Sequence, residues 1–273
     1  MNRVLLLICF ILAASTTLSF AQSDPILGRA TSFGILASTE VNNATAETSG
    51  VEGNLGIYPG DAINGETKLY VSGRKEKGNS FAREAQQDAL AAYNSLRSRP
   101  VTGNLDPQLG KGQTIKSGVY KIDGDAVLNG VLVLDGDGDV NSTFVFIIDG
   151  SLSTTSPTLP NPTPSLVSQK GAEAKNVYWV VKKDVNIGVS TSFVGNIIAQ
   201  EDVTLDRGAN LEGRAISLAG SVNLNFNTIY LPIVIESDLS ISKVVDNKEP
   251  ELGALVTYSI TCLLYTSPSP RDS

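Results

Sequence analysis

The sequence predicts an all-β solenoid, a stack of short coils that bury their apolar sides against one another. Three observations carry this. Phe193-Val194-Gly195-Asn196-Ile197-Ile198 lies over Leu211-Glu212-Gly213-Arg214-Ala215-Ile216 at an offset of 18 residues, and Val203-Thr204-Leu205 lies over Val222-Asn223-Leu224 at an offset of 19. Repeats of about this period, rich in β-formers with Gly at the corners, mark solenoids. The frame apolar-x-Gly-polar-apolar also recurs in Val51-Glu52-Gly53-Asn54-Leu55 and Val101-Thr102-Gly103-Asn104-Leu105, and in part in Leu128-Asn129-Gly130-Val131-Leu132. Alternate apolar residues face a core, and Gly permits a corner that a side chain would block. Finally, Val41 to Gly60 carries Asn-Asn, Ser-Gly, Gly-Asn and Pro-Gly. So many turn signals force short strands.

Residues 1–21 read as a signal peptide. Arg3 gives the positive start, Val4 to Ala14 the apolar run, and Ser19-Phe20-Ala21 a small-x-Ala cleavage site. The run is too short to stay as a membrane anchor. The mature chain is expected to begin at Gln22 and to be secreted or displayed at the cell surface. Ile26 to Ala37 opens it as a first strand and turn. One helix is expected over about Phe81 to Leu96. It is rich in helix formers, Asn79 or Ser80 can cap it, and Pro100 lies beyond its end. Phe81, Ala85, Ala89, Ala92, Tyr93 and Leu96 form its apolar stripe, which suits a brace along the sheet better than a partner-binding helix.

Strands return over Gly118 to Ile148. The run Asp135-Gly136-Asp137-Gly138-Asp139 has the alternation of a calcium loop. It lacks the hand-type Gly and Glu, with Val140 and Phe146 at those positions, and reads as a turn. Ser151 to Pro164 is Ser/Thr/Pro-rich and reads as an exposed loop. Asn176 to Lys182 is a strand holding the only Trp. After Tyr230 a linker, 231–237, leads to 238–261, whose alternation and Pro-Glu-Leu-Gly turn resemble the opening of an Ig-like β-sandwich. Residues 262–273 resemble the in-frame translation of a sequencing adapter. The native protein is then expected to continue past Thr261, with attachment to a cell surface through further repeats.

The chemistry is sparse. The 273 residues carry a formal charge of −7 and no His. An acidic chain without a basic cluster argues against nucleic acid and anionic membranes. Without His the commonest general base and metal ligand are missing. One of the two Cys, Cys9, leaves with the signal peptide, and no nucleophile elbow, phosphate loop or zinc spacing occurs. No enzyme activity, cofactor or metal is expected, and a monomer is. What remains is the outside of the coils. With Phe193 and Leu211 inward, Ser190, Ser192, Gly208 and Asn210 face out in neighbouring rungs. Thr45-Ala46-Glu47-Thr48 adds a Thr-small-x-Thr tetrad. Short side chains in two dimensions could match an ordered surface: ice, a crystalline polysaccharide or a mineral. Taken alone, such residues more readily do no more than solvate the outside of a sheet.

From Ile26 to Tyr230 the chain resembles the microbial ice-binding protein family. The matching stretches are Leu27 to Phe33, Gly53 to Gly60, Gly118 to Tyr120, Leu134 to Gly136 with Thr143 to Phe146, Asn176 to Trp179, Ser192 to Ala199, Asn210 to Ala215 and Asn227 to Ile229. The resemblance implies, over 22–230, a right-handed discontinuous β-helix of triangular section with one long α-helix packed alongside. It also implies adsorption to an ice crystal surface through a flat face that inhibits ice growth and recrystallisation. The family's Thr-(Ala or Gly)-x-(Thr or Asn) tetrads point to Thr45, Ala46 and Thr48. In Arg207-Gly208-Ala209-Asn210 they point to the second and fourth positions, and Val189-Ser190-Thr191-Ser192 keeps short polar character. A non-catalytic adhesion or glycan-binding solenoid is the alternative. It would show exposed aromatics on a face.

Overall fold

The computed structural model describes residues 26–43, 47–157, 165–232, 237–245 and 257–266. Their strands form a 15-stranded sheet, an 8-stranded sheet and a separate two-stranded one. Pairing in the two large sheets is parallel. Ser192–Ala199 and Asn210–Ser217 pair over their whole length, from Ser192 on Asn210 to Ala199 on Ser217. Val203 pairs with Val222 and Thr204 with Asn223. Both sequence offsets are thus steps from one rung to the next.

Gly195 and Gly213, at φ 112° and 155°, stack at the middle of the two long strands. A Cβ on Gly213 would lie 1.9 Å from the Gly195 carbonyl oxygen, so only glycine fits there. The bend splits the large sheet into two ladders. The first half of Asn210–Ser217 pairs with Thr228–Tyr230 and the second half with Phe33–Ala37. One rung is therefore shared between the strands of the large sheet that come last and first in sequence. Beyond it come Ser49–Val51 with Asn54–Ile57, then Leu69–Val71 with Lys75–Lys77. The helix Ser80–Arg97 follows that terminal rung. Its 18 residues span about 27 Å and carry the chain to the opposite end of the ladder, where it resumes at Gly103–Asn104. The rungs consequently lie out of sequence order.

Register also sorts the recurring pentapeptide. Val51 aligns with Leu211 through Ile229, and Leu55 with Ala215 through Ile35. These are true equivalents. Gly103, however, pairs with Tyr120, in the column of Trp179, Ile197 and Ala215, two residues out of step with Gly213. Gly130 precedes Val131–Asp135 and so stands where the chain enters the first ladder, not where it leaves it. Gly103 lies inside a strand and Gly130 at a turn with φ 72°, so the pentapeptide alone does not mark one kind of position.

The interior is aliphatic around an aromatic column. Tyr120, Phe146 and Trp179 are register partners in adjacent strands. The Phe146 and Trp179 rings stack at 4.1 Å, and Phe193 follows at 5.0 Å. The Trp179 indole N–H donates to the Val194 carbonyl at 2.9 Å. A second cluster lies outside the second ladder, where Leu36, Val145, Ile147, Val180, Ile198 and Ile216 pack under Ala85, Ala89, Ala92, Tyr93 and Leu96. The stripe is the brace expected of it, with Asn79 accepting from the Ala82 N–H. Phe81 alone is exposed, lying over Phe33 at 5.6 Å.

Arg214 closes the shared rung. Its guanidinium is buried and donates to the Thr31 carbonyl and to Asn196 Oδ1. Burial pushes it down to about 10, so it remains a cation at neutral pH. Thr31 lies in a single 3-10 turn, Gly28–Ser32, and the expected opening strand is confined to Phe33–Ala37. Chain start and late coil are tied at this point.

Two other expectations are corrected. The Ser/Thr-rich stretch after Ile148 is not all loop. Leu152–Thr154 is a strand of the 8-stranded sheet with Leu152 and Thr154 buried. The Thr154 hydroxyl is satisfied by the Thr191 hydroxyl and the Gly188 N–H. Polar composition hid it because each hydroxyl finds a partner in the next rung. Asp135 is also more than a turn residue. It ends a strand and is buried. Ser237–Val245 and Tyr258–Thr266 pair antiparallel, and the second strand extends beyond Thr261. Residues 1–21 lie outside the described residues.

Candidate functional site

The helix covers the second ladder, leaving the outward face of the first ladder and that of the 8-stranded sheet. On the first ladder, register places Leu166, Ser192, Asn210, Thr228, Gly50 and Tyr70 in one row across adjacent strands. Ser192 is exposed and Asn210 half-buried, and the structure brings these two predicted residues together as direct partners. Phe193 and Leu211 beside them are buried, as alternation requires.

Ser190 and Gly208 stand two residues earlier, at the turn leading onto this face. Ser190, at φ 57°, donates its N–H to the Arg207 carbonyl at 3.0 Å. Gly208 N–H donates to the Asn225 carbonyl at 3.1 Å. Counting back two residues from Thr228 and Gly50 places Phe226 and Thr48 in the same turn row. Thr48 is exposed and so falls beside the predicted set. Phe226, 45% exposed, interrupts the row between Gly208 and Thr48. Thr45 and Ala46 lie outside the described residues. Arg207 does not stand up from the face. It donates to both Glu47 carboxylate oxygens at 2.9 Å and lies 5.7 Å from the Phe226 ring centroid. The pair ties the corner between neighbouring rungs, although so exposed an ion pair contributes at most about 1 kcal/mol.

Sequence reasoning did not single out Thr228, Phe226, Tyr70 or Tyr230 as face residues. For Thr228 a signal existed: it follows Asn210 by the same 18-residue step that separates Ser192 from Asn210. Tyr70 and Tyr230 sit in strands of three residues, too short to show alternation.

The 8-stranded sheet carries its own outward row, Asn64, Asn42, Asn223, Thr204, Asn186 and Ser153. From Asn64 to Thr204 its side chains are hydrogen-bonded to one another. Asn64 donates to Asn42 at 2.6 Å, Asn42 to Asn223 at 2.9 Å and Asn223 to the Thr204 hydroxyl at 3.2 Å. Beside it, carboxylates cap successive corners. Asp184 accepts from the Asp202 N–H, Asp202 from the Ser221 N–H and Asp125 from the Ser151 N–H. The Ser151 N–H holds Asp125 below the usual carboxylate range. This face is in large part a ladder bonded to itself, edged with exposed carboxylates.

The acidic run at Asp135 is occupied by the protein's own cations. Lys116 and Lys170 reach one carboxylate oxygen of Asp135 at 3.1 and 3.0 Å, and the Asp137 N–H reaches the other at 3.0 Å. The backbone N–H first, then Lys170 and Lys116, lower its pKa from 3.8 to about 2. A carboxylate depressed in the fold stabilises it above the unfolded value, and that contribution is lost as pH falls towards the folded one. Melting temperature should therefore fall between about pH 4 and pH 2, and Asp135→Asn should flatten that part of the profile. An unchanged slope in scanning calorimetry would remove Asp135 from the acid response.

The family described as ice-binding-like matches residues 35–230. An ice-binding protein of Nostoc sp. (strain HG1) is 35% identical over 235 residues, covering 84% of this chain and 82% of that protein. Ice-binding protein 1 of Shewanella frigidimarina (strain NCIMB 400) is 32% identical over 235 residues, covering 75% of this chain and 26% of that protein. Among solved structures, an ice-binding protein from the Antarctic ascomycete Antarctomyces psychrotrophicus superposes with a TM-score of 0.68 at 33% identity. The match covers 75% of this chain and 96% of that one. One from an Antarctic bacterium of the Flavobacteriaceae gives 0.70 at 33% identity, covering 78% and 48%.

Proposed function

Because the chain belongs to the ice-binding-like family, we propose that it adsorbs to ice through the first ladder and stops local crystal growth there. The observation that carries this reading is the row Ser192, Asn210, Thr228 and Gly50: short residues in register across four neighbouring strands on a face the helix leaves open. Rungs in such a ladder repeat at about 4.7–4.9 Å, and alternate residues along a strand at about 6.6 Å. Hydroxyl and amide groups on that grid hold water in ordered positions. The methyl of Thr228 and the bare backbone at Gly50 favour its burial against a crystal. The sheet fixes the grid beforehand, so docking orders little. Ser190, Gly208 and Thr48 extend the contact around the turn, with Thr45 and Ala46 continuing the tetrad.

In this reading residues 22–230 wind as a right-handed β-solenoid of triangular section, interrupted by the helix that carries the chain from end to end. The protein acts without catalysis, as a monomer. Residues 1–21 direct export, and 238–261 belong to an Ig-like repeat. The described residues hold no helix long and apolar enough to cross a membrane.

The test is thermal hysteresis and ice recrystallisation inhibition by residues 22–236. Faceted crystals and a measurable freezing gap at micromolar protein are expected. Round crystals with no gap at high micromolar protein would overturn the assignment.

A further inference from the structure

We propose that the end of the first ladder is a second binding site, for a neutral polysaccharide. Tyr70 and Tyr230 are 66% and 41% exposed. They line one concavity of about 420 Å³, together with Gly50, Glu52, Ser72 and Thr228. That volume falls within the range of roughly 300–1,000 Å³ usual for small-molecule sites. Isolated exposed aromatics need no explanation, but two around one largely apolar cleft do. The floor is kept open without backbone need. Gly50 has no positive φ, and a Cβ there would meet only Thr228 Cγ2, at 3.8 Å. A larger residue would fit the fold and would fill the cleft.

The chemistry selects the ligand. Tyrosine rings offer flat apolar faces with a polar tip, which suit the C–H face of a pyranose ring and its rim of hydroxyls. Glu52 supplies a carboxylate acceptor, already oriented by the Leu231 N–H at 3.2 Å, and Ser72 and Thr228 supply hydroxyls. The charge of −7 and the carboxylate of Glu52 in the cleft repel polyanions, leaving neutral glycans as the class that fits. Leu69–Val71, which carries Tyr70, is the outermost strand of the ladder, so a long chain can enter from the open end. The site shares Thr228 and Gly50 with the proposed ice row, but it rests on Tyr70, Tyr230 and the cleft between them, not on that reading.

Affinity electrophoresis of residues 22–236 through gels containing hydroxyethyl cellulose or laminarin tests it. The wild-type protein should be retarded by at least one of these glycans. Tyr70→Ala/Tyr230→Ala should weaken retardation at least tenfold. Gly50→Val, which blocks the cleft without removing any group, should do the same, with circular dichroism checking that both variants fold. Asn186→Tyr, on the outward row of the 8-stranded sheet, should be retarded like wild type. No retardation of wild type by either glycan, or equal retardation of the cleft variants, would overturn the proposal.

Discussion

Trp179→Ala is expected to lower unfolding stability by about 3–5 kcal/mol, the range for removing a buried aromatic. Trp179 is wholly buried. Its ring stacks on Phe146 at 4.1 Å and meets Phe193 at 5.0 Å, so truncation opens a void in the aromatic column that rigid rungs above and below cannot close. The Val194 carbonyl also loses the indole N–H. That bond holds the backbone beside Gly195, where a Cβ would come within 2.6 Å of Val177 Cγ1 and 3.0 Å of the indole nitrogen. The corner and the ring are fitted to each other, and the void would loosen the bend between the two ladders. Trp179→Phe keeps a ring and loses the donor, and should cost only about 1–2 kcal/mol. Urea titrations followed by circular dichroism separate the two. Equal losses for both variants would mean that the hydrogen bond, not the stacking, dominates.

Strand-to-strand repetition was legible in the sequence, because the 18- and 19-residue steps at Phe193/Leu211 and Val203/Val222 are register steps between paired parallel strands. The helix was legible for a different reason. Its stripe and its Asn79 cap are local signals, and local signals survive tertiary context. What could not be read is what depends on pairing between distant segments. Nothing near Phe33 says that it shares a rung with Thr228–Tyr230, since that neighbour is supplied nearly 200 residues later. The buried hydroxyl of Thr154 read as part of an exposed loop because its partner, Thr191, is supplied from a distant segment. The candidate face was half legible. Ser192 and Asn210 were found through the repeat. Phe226 and Tyr230 were not, because outside the repeated frame no period assigns an exposed residue to a face.

Ser192→Tyr and Thr228→Tyr should each reduce thermal hysteresis at least severalfold while leaving the melting temperature nearly unchanged. Both sites are outward positions of a sheet, one exposed and one half-buried, and aromatic residues are well accommodated on pleated surfaces, so the fold has little reason to resist. The effect comes from shape. Between Leu166 and Tyr70 the row is made of short side chains and one glycine. A tyrosine in its middle would hold a rigid crystal off its neighbours, and an ice surface cannot deform to follow. Asn186→Tyr is the matched control. It occupies the same kind of outward site on the 8-stranded sheet, flanked by Ser153 and Thr204. The Asp184 and Asp202 carboxylates edging that sheet keep their water and oppose contact with a crystal, so activity should persist. If Asn186→Tyr abolished hysteresis while the other two kept it, the asparagine ladder would be the ice contact. The short row at Ser192 and Thr228 would then be only the solvated back of a sheet.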